Sequence, residues 1–204
     1  PSIDAIMLAI TGNGQDDPLV AFAQKNSIGV YRGSENDVMD RVIRAAESAK
    51  ADIIVEITGD CPIIDPKLVE QTIRLFMSNN CDYASNAHIR SYPDGMDTQV
   101  FRLSTLKRSY DLTTTDLERE HVTLHIRNNP QIFKHANLIA PPELHWPELG
   151  LTLDEKDDYI LLKRIIEHFG DRDPFFSCGD VIKLLKDNPS WLKINEHVRR
   201  KGDT

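Results

Sequence analysis

The 204-residue sequence has no apolar run approaching the ~18 residues that cross a bilayer, and no secretory leader is expected before its first strand-like segment. A cytoplasmic protein with no membrane partner is therefore expected. Its only cysteines are Cys61, Cys81 and Cys178, an odd number without CxxC spacing. That excludes a disulfide framework and gives no zinc pattern, so reduced thiols are expected. Cationic excess is also lacking: 24 Lys and Arg against 32 Asp and Glu leave a formal charge of −8. Such a surface does not suit a nucleic-acid backbone, and the short basic tail of Arg199, Arg200 and Lys201 is too small to alter that. Repeats, linkers and low-complexity stretches are absent too. What remains is 40% hydrophobic and 27% charged, which predicts one globular domain over residues 1–204.

Strand-like and helix-like segments alternate, which predicts an α/β fold with a mostly parallel sheet. Strands are expected at Ile3–Ile10, Ile28–Tyr31 and Ile53–Ile57, with others within 82–101, at Phe133–Ile139 and at Leu149–Leu153. The apolar spacing predicts helices over Pro18–Asn26, Asp37–Ala49, Pro66–Ser78, Ser104–Leu112, Asp116–Asn128 and Glu155–Phe169. Asp65-Pro66 reads as an N-cap followed by proline at the first helical position, and Ser177 caps a last helix ending near Asp187.

Ligands of an open parallel sheet gather beyond the carboxyl ends of its strands. Asp60 follows one predicted strand in Thr58-Gly59-Asp60-Cys61-Pro62, and Asp154 follows another in Leu153-Asp154-Glu155. Two hard carboxylates from distant positions suit a Mg²⁺ ion that also takes phosphate oxygens and water. Spacing alone leaves plainer readings open. Asp154 fits an N-cap, and Asp60 fits a turn closed by its own side chain. Asp37 and Arg41 have the spacing of a helical ion pair.

Five segments, in order, resemble the spore-coat polysaccharide type of cytidylyltransferase-like proteins. Val30 to Arg41 (VYRGSENDVMDR) resembles "FRGSxxDVLxR", and Ile57 to Asp65 (ITGDCPIID) resembles "TGDCPLID". Tyr92 to Asp97 (YPDGMD), Glu118 to Thr123 (EREHVT) and Leu153 to Asp158 (LDEKDD) resemble "YPDGLD", "REHVT" and "VDTPED". The resemblance implies a Rossmann-like nucleotidyltransferase three-layer sandwich. It also implies an enzyme that joins CTP and a sugar or sugar acid, giving a CMP-sugar and pyrophosphate for polysaccharide or glycan synthesis. Asp60 and Asp154 would be its catalytic, Mg²⁺-binding residues. Arg32, Ser34 and Gly59 would lie at the nucleotide, and Asp94, Gly95, Asp97 and His121 at the sugar. A homodimer is a further expectation, with residues 82–103 as its surface.

One departure is plain. The family opens with a strand and a glycine-rich loop, "ARxGSxRLPGK", that holds the triphosphate. Gly12-Asn13-Gly14 lacks the following Arg and Lys and leads into Asp16-Asp17. A leading βα unit of roughly 45 residues is thus expected to be missing from this sequence. Strands Ile3–Ile10 and Ile53–Ile57 should then not pair directly. By itself the chain is expected to bind nucleotide weakly and to be unstable or inactive. Two other functions fit less well: a nucleotide-sugar glycosyltransferase, which would want a DxD motif, and a non-catalytic remnant that binds sugar or a partner.

Overall fold

The computed structural model describes residues 2–199; Pro1 and the tail residues Arg200 and Lys201 lie outside them. Strand β1 (Met7–Thr11) pairs in parallel with β2 (Gly29–Gly33), Met7 opposite Gly29 and Thr11 opposite Gly33. Helix α1 (Asp17–Lys25) connects them, and α2 (Val38–Ser48) follows. Next come β3 (Ile53–Glu56), α3 (Pro66–Ser78), β4 (Tyr83–Ser85) and β5 (Gln99–Arg102). The chain continues through α4 (Leu103–Leu112), α5 (Asp116–Glu120), α6 (Leu124–Asn128) and β6 (His135–Asn137). It ends in α7 (Lys156–Phe169), α8 (Cys178–Asp187) and α9 (Pro189–Leu192). The second sheet runs in the order β3-β5-β4-β6, so β1 and β3 are not hydrogen-bonded neighbours, as expected. No described helix is long and apolar enough to cross a membrane.

The chain divides into two compact units. The first comprises Pro1–Val55, Asn79–Tyr83 and Val100–His135; the second comprises Glu56–Ser78, Ala84–Gln99 and Ala136–Thr204. Each holds its own apolar core. Met39, Ile43, Phe101, Leu106, Ile126 and Phe133 build the first. Leu68, Met96, Leu151, Leu161, Ile165 and Leu185 build the second.

Local signals explain most boundaries. Asp65 accepts the Lys67 amide at 2.7 Å with one oxygen and, with the other, the Cys178 amide at 2.9 Å. One carboxylate therefore satisfies orphan donors at the starts of both α3 and α8. Ser177 and Asp180 form a reciprocal capping box at α8, as do Glu155 and Asp158 at α7.

Three expectations are corrected. The helix expected over 116–128 is two short ones. Val122 and Thr123 turn inward and are buried, and the Leu124 amide bonds the His121 carbonyl at 2.7 Å, closing a turn between them. The expected strand at 149–153 is an extended segment without a regular ladder. Its amides bond carbonyls of two different loops, Leu151 to Asp94 and Leu153 to Asp60, both at 2.8 Å, so no single strand can flank it. The sequence reading also stopped before α9, where Pro189 sits in the first helical turn just after Asn188.

Candidate functional site

Of the predicted site residues, Asp60, Asp94, Gly95, Asp97 and Asp154 lie in the second unit, with Gly59; Arg32, Ser34 and His121 lie in the first. In the second unit the tie is direct. The Leu153 amide donates to the Asp60 carbonyl at 2.8 Å, which places Asp154 one residue beyond a backbone bond to Asp60. Backbone bonds from Cys61 to Thr58 and from Ile64 to Cys61 close the turn that carries Asp60. Its side chain also bonds within that turn, through Oδ1 to Thr58 and Cys61, which is part of the turn-closing reading.

The two aspartates are held alike. The Thr58 hydroxyl donates to Asp60 Oδ1, and the Thr152 hydroxyl donates to Asp154 Oδ2 at 2.7 Å. Both sit in a Thr-x-Asp arrangement. The N-cap of α7 is Glu155, while Asp158 takes the Asp154 and Glu155 amides at 3.3 and 2.9 Å. Asp154 is therefore not spent on capping, which corrects the plainer reading of the sequence. Buried Asp158 also accepts from Asn195 Nδ2 at 2.8 Å, so the turn after α9 helps to fix the segment.

Cys61 lies beside this pair. Its sulfur is 3.4 Å from Thr58 Oγ1 and donates to Asp60 Oδ1 at 3.6 Å. Burial first, then the charges of Asp60 and Asp97, push the thiol up to about 12 against a lowering bond from Thr58. It stays protonated and acts as a donor, not a nucleophile. By sequence position alone Cys61 reads as a small buried filler.

The loop Asp94–Asp97 serves two places. Asp97 is close enough to Cys61 for its charge to be felt there. Asp94 instead pairs with Arg90 at 3.0 Å and lines a cavity of about 470 Å³ with Trp146, Leu149 and Asn195, at the opposite end of the 150–153 segment. Gly95 is buried at φ 99°, and a Cβ there would come within 2.6 Å of the Leu151 carbonyl group. Its close approach is to this chain's own backbone. Gly59 is the converse: φ is not positive, and an added Cβ would meet nothing within 4 Å.

In the first unit the arginines are engaged. Arg32 donates to the Thr11 carbonyl at 3.0 Å, to Asp17 at 2.7 Å and to the Asn13 carbonyl at 2.6 Å. Its fork clasps the 11–17 segment, whereas the resemblance implies a place at the nucleotide. Asp16, the other acid there, takes the Thr11 hydroxyl and amide, which hold its carboxyl below the usual value. Ser34 Oγ accepts the Asp37 amide at 3.0 Å. Asp37 caps α2 and reaches Arg119 at 3.5 Å, whereas Arg41 donates to the Ala9, Ser34 and Glu35 carbonyls. The Asp37–Arg41 side-chain pair that the spacing allows is not formed; Arg41 bonds backbone carbonyls instead. His121 is exposed at the C-terminus of α5. His125, by contrast, bonds Glu118 at 2.9 Å. Seven residues separate them across two helices, a spacing that no single-helix pattern reveals.

Residues 1–170 match the sequence profile of the cytidylyltransferase family. The chain belongs to that family. The chain is also 32% identical over 200 residues to the uncharacterized protein MJ1063 of Methanocaldococcus jannaschii, spanning 98% of this chain and 80% of that one. Over 187 residues it is 34% identical to the spore coat polysaccharide biosynthesis protein SpsF of Bacillus subtilis, spanning 91% of this chain and 76% of that one. A solved cytidylyltransferase from Leptospira borgpetersenii superposes with a TM-score of 0.84 at 34% identity, covering 90% of this chain and 76% of its own. The fold is therefore the Rossmann-like nucleotidyltransferase fold, and this family member is a nucleotidyltransferase by descent.

Proposed function

We propose that this cytidylyltransferase moves the cytidylyl group of CTP onto a sugar or sugar acid, at a Mg²⁺ site made by Asp60 and Asp154. The Leu153–Asp60 backbone bond carries the reading, because it brings together two carboxylate-bearing segments distant in sequence within a member of this family. Among the described residues no group of three or more His, Cys, Asp or Glu converges to hold a metal. A two-carboxylate donor set fits an ion that keeps waters and takes substrate phosphate oxygens, which is the habit of Mg²⁺ and not of zinc. Bound there, the ion would neutralise charge on the phosphate under attack.

The chain's own contribution is placement. Asp60 and Asp154 would hold the ion that draws the nucleotide's phosphates, and the open space at Gly59 admits a closely approaching group. Asp97 suits the hydroxyls of an acceptor sugar. A sugar oxygen attacks the α-phosphorus, the bond to the β-phosphate oxygen breaks, pyrophosphate leaves, and the sugar proton passes to solvent. Positioning and charge stabilisation supply the acceleration, with no covalent protein intermediate. The similarity to a spore coat polysaccharide protein favours an acceptor used in surface polysaccharide synthesis.

Pyrophosphate release from CTP and Mg²⁺ by the full-length enzyme, measured across a panel of sugars and sugar acids, tests the reading. Release should require an acceptor and vanish with EDTA. Asp60→Asn should lower kcat roughly 100-fold or more with Mg²⁺ saturating. Near-normal turnover of that variant would remove Asp60 from the mechanism.

A further inference from the structure

Asp60 and Asp154 present their carboxylates in the same unusual condition. In Asp60, Oδ1 receives the Thr58 hydroxyl and, at 3.6 Å, the Cys61 thiol. In Asp154, Oδ2 receives the Thr152 hydroxyl at 2.7 Å. The other oxygen of each takes no hydrogen bond from the protein among the described residues. One oxygen is thus tied back to a threonine of its own segment, and the other has no such bond. The threonine stands two residues before the aspartate in both places, and the Leu153–Asp60 bond sets the two arrangements side by side.

The difference matters for ion choice. Ca²⁺ accepts six to eight oxygens at roughly 2.3–2.6 Å and often takes both oxygens of one carboxylate. Mg²⁺ requires near-octahedral geometry at about 2.0–2.1 Å and suits single carboxylate oxygens with water. A hydroxyl already bonded to one oxygen opposes two-oxygen coordination. It also withdraws a little charge, which weakens any cation. Losing the tether additionally frees the carboxylate to rotate, and groups that orient a metal's ligands typically contribute 10–100-fold in affinity, so orientation outweighs the charge effect.

We propose that Thr58 and Thr152 are positioning residues that restrict Asp60 and Asp154 to single-oxygen coordination and so select Mg²⁺-like over Ca²⁺-like ions. The inference rests on the reading above that this pair holds a divalent cation. It is tested by titrating Mn²⁺ into the chain, following the free-ion paramagnetic resonance signal, and competing with Mg²⁺ and Ca²⁺. Thr58→Val and Thr152→Val keep the side chain's shape and remove its hydroxyl; Thr58→Ser and Thr152→Ser keep the hydroxyl. Each valine variant should bind Mn²⁺ about tenfold more weakly. Ca²⁺ should gain on Mg²⁺ in competition, and the serine variants should restore both properties. A merely structural threonine would not move the Ca²⁺ to Mg²⁺ ratio. Valine variants with unchanged Mn²⁺ affinity and an unchanged ratio would overturn the positioning role alone. Wild-type chain that binds no Mn²⁺, or binds it equally well as Asp60→Asn, would overturn the cation reading and this inference with it.

Discussion

Two glycines near the paired aspartates separate structure from function at the residue scale. Gly95 is pressed against the Leu151–Thr152 backbone at a positive φ. Alanine there should cost about 2–4 kcal/mol, from backbone strain plus overpacking, measured by urea unfolding. Gly59 has no such neighbour, so Gly59→Ala should change stability by less than about 0.5 kcal/mol. Its effect should instead be a raised KM for CTP. An unchanged KM would mean that no bound group comes close at Gly59. The thiols divide as clearly. Cys61 and Cys178 are buried, with burial the main cause that pushes each up to about 12, while Cys81 is partly exposed and raised less. A thiol reagent should modify Cys81 first in the native protein and reach the other two only on unfolding. Early loss of Cys61 would contradict its burial. The sequence identified Asp60 as a candidate, but it could not show the thiol or the hydroxyl that grip it. Those bonds depend on how one tight turn folds.

Helix starts carry the chain's legible signals at the element scale. Asp65-Pro66 and Ser177 are readable caps because a short polar side chain just before an apolar run lies within reach of its first-turn amides. The second use of Asp65, on the amide of Cys178, was not readable, since it links positions 113 residues apart. At α8, Asp180 accepts from the Ser177 amide and hydroxyl at 2.9 and 2.5 Å. These bonds hold its carboxyl below the usual 3.8. The sign follows: a folded value below the unfolded one stabilises above pH 3.8, and that contribution is lost as pH falls through the folded value. Ser177→Ala should thus cost about 1 kcal/mol at neutral pH and less in acid, read from unfolding curves at both. A constant difference across that range would show that the Asp180 bond contributes little. Asp154 teaches the opposite lesson, because an acidic run before a helix cannot say which acid caps it. Backbone geometry awarded the cap to Glu155 and the box to Asp158.

Two apolar cores, one in each compact unit, organise the molecule as a whole. Leu161 is fully buried among the residues of the second. Leu161→Ala should lower stability by about 2–5 kcal/mol, and amide exchange should quicken first in α7 and α8. Unchanged exchange in those helices would mean that Leu161 does not anchor them. From the sequence by itself came the α/β alternation, most helix spans, the reduced thiols and, through five ordered motifs, the family. Each is carried by local periodicity, local capping or a contiguous motif, all of which survive in one dimension. Only the tertiary structure decided that residues 149–153 bond two separate loops, that Arg32 serves its own neighbourhood, and that Asp94 and Asp97 part company. It alone brought Thr58-Gly59-Asp60 beside Thr152-Leu153-Asp154. That pairing rests on a backbone hydrogen bond between residues remote in the chain, and a backbone N–H or C=O is the same at every position and leaves no trace in side-chain order.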